Sequence, residues 1–279
     1  MLAAIIAVST GAPFIRWAEP APPIAIAALR VSIAALVLLA IGRDAVQRFR
    51  ALAPRDRGFV IGAGLLLGVH FGTWVASLSL TSTAASVALV ATNPIFAALL
   101  GRTVGDHVGG RAWLGIAVAT AGCAVLAGGD WQLGGDALLG DALAIAGAIA
   151  AAGYLVIGRR LRDAIPLFPY LAMVNLVAAA GLVAAALIAG APLAALPSHS
   201  YLAIAGSALV ASVAGHTLLN LAVRSVPTHL VGLAILCEPI GASLLTWALF
   251  AEQPSLHAAI GGAIILVGLA FGFTGRQSK

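Results

Sequence analysis

Apolar side chains run through this sequence in blocks about twenty residues long, separated by short clusters of proline, glycine, serine and charge. A helix needs about that length to cross the roughly 30 Å hydrocarbon core of a bilayer. The spacing predicts helical spans at 2–18, 22–41, 57–79, 83–103, 110–128, 138–158, 165–189, 200–222, 227–250 and 256–273. The connections are brief, as in WAEPAPP at 17–23, SLTST at 79–83 and RSVPTH at 224–229, so successive helices are expected to lie antiparallel as neighbours. The pattern therefore predicts an all-α integral membrane protein with ten transmembrane helices. MLAAIIAVSTG lacks a basic leading region and passes into GAPFIRW without a clear cleavage signature, so it reads as a short first span and not as a removed signal peptide.

Composition rules out a soluble reading. Of 279 residues 61% are hydrophobic and only 9% are charged, against about 25% charged in ordinary globular chains, and the mean hydropathy is +1.06. After ten spans little chain is left for an extramembrane domain. The net charge of +5 does not point to nucleic acid, because the basic residues are scattered between apolar blocks with no aromatic-interleaved basic face. Their positions report orientation instead. Arg43, Arg48, Arg50, Arg55, Arg57, Arg102, Arg111, Arg159, Arg160, Arg162, Arg224, Arg276 and Lys279 all fall on one side of an alternating bundle, leaving only Arg16 and Arg30 elsewhere. By the positive-inside rule that side is cytoplasmic and both termini lie there. The acidic stretch with Asp130, Asp136 and Asp141 falls on the opposite side. Cys123 and Cys237 lie within apolar runs and read as small packing residues, not as a disulfide.

The chain also repeats itself. Pro94 matches Pro239 at an offset of 145, and Asp106 matches Glu252, Gly115 matches Gly261, and Gly122 matches Gly268 at 146. His70 and His216 are also 146 apart. Each repeat holds five spans, an odd number, so the second enters the membrane with opposite polarity, giving two inverted five-helix repeats over 1–128 and 138–273. Inverted repeats are common among secondary transporters, which bind substrate near the midplane between the halves. GLLLG at 64–68 and GLAFG at 268–272 each put two glycines on one helical face, where backbones can approach closely.

HFGTWVASLSLTSTAASVALVATNP, WLGIAVATAG, GDALAIAGAIAAAGYLVIGR and ILCEPIGASLLTWALFAEQP, set in paired halves, resemble the ten-span EamA type of the drug/metabolite transporter superfamily. The resemblance covers nearly the whole chain. It implies a bacterial-type inner-membrane exporter of small metabolites, most typically neutral or aromatic amino acids, working by alternating access. Drugs, nucleotide-sugars and other metabolites are the alternatives within transport. From another class, a noncatalytic membrane scaffold or a membrane enzyme is the rival, but no nucleophile motif and no Asp-rich metal motif supports an enzyme. There is no GxxxxGK[ST] loop, so energy is expected from gradients of substrate or ions. The expected partners are a small-molecule substrate and the lipid bilayer, with possible proton coupling, no nucleic acid, no metal or other cofactor, and a monomer as the working unit.

Several polar residues interrupt the apolar spans. Glu238 stands near the middle of the ninth, where charge is costly and usually faces a cavity or a partner; it reads either as part of the pathway or as a hydrogen-bonded fastener. Its repeat counterpart is Asn93, and Pro94 and Pro239 beside them remove backbone donors and are candidate kinks or gates. His70 and His216 read as substrate or proton sites or as satisfied packing groups. Trp74, one turn from His70, reads as pathway lining or as an interfacial anchor, and Asn220, one turn after His216, as lining or packing. Tyr154 offers a ring and a hydroxyl to an amino acid. Arg30 and Asn175 occupy related repeat positions; Asn175, like Asn93, reads as a substrate-pathway or binding residue, and Arg30 as a snorkelling or clamping cation or as a carboxylate binder. Ser9 and Thr10 are pathway or packing groups, and Asp106 and Glu252, near helix ends, are possible polar clamps. Accessibility labelling at the two termini is expected to find both on the cytoplasmic side; labelling from opposite sides would overturn the even span count.

Overall fold

The structure, a computed structural model, describes residues 1–127, 135–251 and 253–273, with the side chains of Thr83 and Ala84 undescribed. Glu252 lies outside the described residues. All the regular structure described is helical. The first apolar stretch, α1, is Leu2–Ser9 followed by Gly11–Trp17. Next come α2 (Pro23–Ile41), α3 (Pro54–Ser77), α4 (Thr83–Val90 and Asn93–Gly101), α5 (Gly110–Ala127), α6 (Gly135–Arg160) and α7 (Leu167–Ile188). The series ends with α8 (Ser198–Gly206, Ser207–His216 and Thr217–Val223), α9 (Thr228–Ile235 and Glu238–Phe250) and α10 (Leu256–Phe273). Among the described residues, α2 to α10 give nine helices long and apolar enough to cross a bilayer, while α1 is shorter. A further short helix, Ala45–Ala51, lies between α2 and α3.

Proline sets many helix starts. Pro23 and Pro54 sit in the first turn of α2 and α3, where the missing N–H has no intrahelical partner to lose. Pro22, Pro166, Pro197 and Pro227 immediately precede helices and hold the entering chain extended. Proline also accounts for the interruptions. Pro94 and Pro239 have no N–H for the carbonyls four residues back, those of Val90 and Ile235, and their rings crowd those carbonyls. The ladder tightens there: Thr92 N–H donates to Leu89 O and Cys237 N–H to Ala234 O, both at 3.1 Å. In α1, Pro13 likewise cannot donate to Ser9, and Thr10 Oγ1 donates back to Ala7 O at 2.7 Å, a local bond that competes with the helical ladder. The central part of α8, Ser207–His216, is π-helical.

Packing joins the two parts of the chain along their length. α5 lies along α10, α2 along α7, and α3 along both α6 and α7. The second half of α4 packs on α6 and on the first half of α9, and the first half of α1 packs on the π segment of α8 and the second half of α9. Large apolar residues such as Leu36, Ile188, Leu202 and Leu249 face outwards, where lipid is their solvent. Because lipid is as apolar as leucine, close packing holds the helices together, and small residues permit it. At the α5–α10 seam a Cβ on Gly122 would stand 2.7 Å from the Ile265 nitrogen, and one on Gly268 2.5 Å from the Ala119 nitrogen. Gly64 makes a similar approach to Val174 and Val177 of α7, so both GxxxG sequences mark real contacts. Replacing Gly268 with leucine is expected to lower stability by about 2 kcal/mol through overpacking. Gly62→Ala, where an added Cβ meets nothing within 4 Å, is expected to be neutral or slightly stabilising. Thermal unfolding in detergent compares them, and equal melting temperatures would contradict the seam.

Candidate functional site

The interruptions in α1, α4 and α9 border one central cavity. It measures about 50 Å³ and is lined by Val8, Arg30, His70, Trp74, Val90 and Asn93 from α1 to α4 and by Ala151, Tyr154, Leu155, His216, Leu219, Ile235 and Glu238 from α6, α8 and α9. Val90 and Ile235, the residues whose carbonyls cannot receive a hydrogen bond from Pro94 and Pro239, are both in the wall. Seven of the sequence candidates therefore meet: Arg30, His70, Trp74, Asn93, Tyr154, His216 and Glu238. Asn220 stands just behind, its amide donating to the Tyr154 hydroxyl and to His216 O. Pro94 and Pro239 flank the wall without lining it. Asn175 does not reach the cavity: its amide donates to Leu171 O at 2.9 Å, within its own helix.

The polar groups are held on an aromatic framework. His70 Nδ1 lies 3.0 Å from Gly147 O; a carbonyl only accepts, so this nitrogen carries a hydrogen. The His70 and Trp74 rings stack with an interplanar angle of 3° and centroids 6.1 Å apart. Trp74 is buried and is no interfacial anchor. His216 packs against Phe71, with ring centroids 5.2 Å apart, and near both His70 and Tyr154. Arg30 Nε donates to Ser212 Oγ at 2.7 Å, and its guanidinium carbon lies 4.5 Å from the Phe71 centroid and 5.5 Å from that of Trp74, a cation–π arrangement. Snorkelling does not describe this side chain, which is 1% exposed in the centre of the bundle. Buried polar atoms without a hydrogen-bond partner cluster here: Arg30 Nη1, Trp74 Nε1, Asn93 Oδ1 and His216 Nδ1. Ser9 joins the α1 interruption to the α9 one, donating to Ile5 O and to Glu238 O. Gly241 makes room for it, since a Cβ there would overlap Ser9 Oγ.

A family description, the EamA-like transporter family, matches residues 1–128 and again 138–274. The chain belongs to this family. It is a multi-pass membrane transporter of the drug/metabolite superfamily and not an enzyme. Among curated proteins none matches it by sequence. A solved crystal structure, described only as that of a protein, is similar with a TM-score of 0.81 at 23% identity, covering 97% of this chain and 93% of that one; at that identity the likeness concerns the fold.

At the arginine-rich end of the transporter a second polar cluster joins four helices. Gly105, at φ 82°, turns the chain after α4 so that Asp106 N–H reaches Gly101 O. The Asp106 carboxylate accepts from the Thr228 N–H at 2.7 Å and its hydroxyl at 2.8 Å, capping the start of α9 from another helix. Its other oxygen pairs with Arg159 at 2.7 Å, and Arg159 also donates to Val223 O at the end of α8 and to Val226 O just beyond it. Arg224 reaches back to Arg162 O and Ile165 O. Asp106 was legible as a clamp from its repeat position, whereas Arg159 and Thr228 carried no sequence signal beyond orientation and a helix start. Ser212 and Phe71, the supports of Arg30, were also missed; Ser212 lies one helical turn before His216, and Phe71 immediately follows His70. Asp106→Ala is expected to cost about 3 kcal/mol, because it leaves Arg159 unpaired and the Thr228 N–H without its acceptor. An unchanged melting temperature in detergent would refute the clamp.

Proposed function

We propose that this transporter exports small metabolites, foremost neutral or aromatic amino acids, from the cytoplasm by alternating access between two inverted five-helix halves. The observation that carries the reading is the central cavity, walled by both halves where three interrupted helices meet. At about 50 Å³ it has room for a few waters, so loading a metabolite requires its walls to move, and the interruptions at Thr10, Ala91–Thr92 and Leu236–Cys237 are where they would bend. The Asp106 cluster ties the arginine-rich end together. At the opposite end a pocket of about 390 Å³ is lined by Ala12, Ile15, Arg16, Glu19, Ile26, Val75 and Leu78 among others. Ile26 is one turn from Arg30 on α2. Gly11 lets α1 pass close to Trp74 in the cavity wall, since a Cβ on it would stand 3.1 Å from the edge of the Trp74 ring.

Packing supports the inverted arrangement. Exchanging the halves turns the α3–α6 contact into α8–α1 and the α4–α6 contact into α9–α1, while α2–α7, α4–α9 and α5–α10 map onto themselves. The positions of the basic residues support cytoplasmic termini. In the cavity lining, one arginine and one glutamate stand among neutral and apolar groups, which suits a small zwitterion better than the cluster of cations a phosphate-bearing substrate requires. Glu238, His70 and His216 are the groups there able to carry a proton if export is proton-coupled.

Sealed proteoliposomes loaded with a panel of amino acids, with and without a pH gradient, test this reading. Efflux of neutral or aromatic members is expected, falling about ten-fold or more in Glu238→Gln while the variant remains folded. Movement of another solute with the whole panel retained would sink the substrate class.

A further inference from the structure

The central cavity holds two opposite charges that do not pair with each other. Arg30 comes from α2 and Glu238 from α9, one from each half. Arg30 forms no ion pair among the described residues. Its Nε is fixed by Ser212 and its guanidinium rests against Phe71 and Trp74, while Nη1 has no hydrogen-bond partner. A guanidinium does not give up its proton in proteins, and an uncompensated cation inside a bundle is costly. The side chain is thus braced at its stem end with one edge free, the disposition needed to receive an anion that arrives and leaves.

Glu238 begins the second half of α9. No described residue hydrogen-bonds to its carboxylate; the contact from Ser9 is to its backbone carbonyl. Ile235 lies three residues before Glu238, and Val90 of α4 shares the same cavity wall; the prolines at 239 and 94 cannot donate to their carbonyls. A carboxylate and carbonyls accept hydrogen bonds, and an ammonium offers three. The repeat accentuates the polarity: the counterpart of Glu238 is the neutral Asn93, and that of Arg30 is Asn175, which stays within its own helix.

We propose that Arg30 and Glu238 are the two poles of a clamp for a zwitterion, Arg30 binding the substrate carboxylate and Glu238, with the Val90 and Ile235 carbonyls, binding its ammonium. This deepens the amino-acid reading above and rests on it. The two poles fix the direction in which the substrate lies, and Val8, Leu155 and Leu219 face its side chain. Binding therefore depends on both head groups together, and each charged residue matters only for ligands that carry the matching group.

The test uses the intact transporter in nanodiscs with four probes: L-phenylalanine, its methyl ester, phenethylamine and 3-phenylpropionate. Wild-type protein is expected to bind phenylalanine about ten-fold or more tightly than any probe lacking one charged group. Arg30→Gln is expected to reduce phenylalanine binding to the level of the ester and leave ester and phenethylamine binding unchanged. Glu238→Gln is expected to reduce it to the level of 3-phenylpropionate and leave that probe unchanged. Equal weakening of phenylalanine and ester by Arg30→Gln would show a structural arginine and overturn the assignment. If a variant does not fold, the wild-type preference for phenylalanine over its ester and over 3-phenylpropionate decides, and no preference overturns the clamp. Binding of amino acids without discrimination against the single-headed probes defeats the clamp alone, whereas failure of every amino acid to be bound or transported defeats the wider reading.

Discussion

A bilayer core supplies no water to a backbone N–H or carbonyl, so each such group has to find its partner inside the protein. The rest of this structure follows from that constraint. α2, α3, α5, α6, α7 and α10 meet it as uninterrupted helices. α1, α4 and α9 do not, and their interruptions converge on one cavity away from lipid. The prolines at 94 and 239 would be defects on the outside of the bundle; here the residues whose carbonyls they cannot serve, Val90 and Ile235, stand in the wall of the cavity. The π segment of α8 belongs to the same place, bringing Ser212 to Arg30 and His216 to Phe71. Where regular structure fails, this protein concentrates its chemistry.

Charge obeys a related economy. With 9% charged residues, each buried one has an identifiable setting. Asp106 and Arg159 stitch together helix ends, where the carboxylate also serves the buried N–H at the start of α9. Arg30 and Glu238 occupy the middle, where neither satisfies the other. The first pair is closed, its carboxylate and guanidinium in direct contact, while the second forms no ion pair, its arginine braced by aromatic rings and a serine. A structural ion pair and an open pair of poles thus differ in what surrounds them, although all four residues look alike as interruptions of an apolar sequence.

Much of this was legible in the sequence because lipid imposes a length on apolar blocks, and the predicted spans fall within a few residues of the helices. The repeat paired Pro94 with Pro239 and His70 with His216, and the cost of intramembrane charge singled out Glu238; all but the two prolines line the cavity. Faces were harder to read. In lipid the outside of a helix is as apolar as the inside, so periodicity could not tell that Asn175 turns into its own helix while Arg30, its counterpart, reaches the cavity. Trp74 had an equally good reading at the interface until its stacking on His70 was known. Arg159 was absorbed into the count of orientation-setting cations, and its contact with Asp106 depends on a left-handed glycine turn and a helix start far away in the chain. Long-range partners of this kind leave no local pattern.

The α5–α10 seam carries a consequence for how the molecule is made. α5 owes its tightest contact to glycines of α10, which enters the bilayer only after four further helices have been threaded. Until then Gly115 and Gly122 present a bare backbone groove to lipid tails that cannot fill it well. The tightest seam of the bundle therefore closes only when α10, the last of the described helices, is in place.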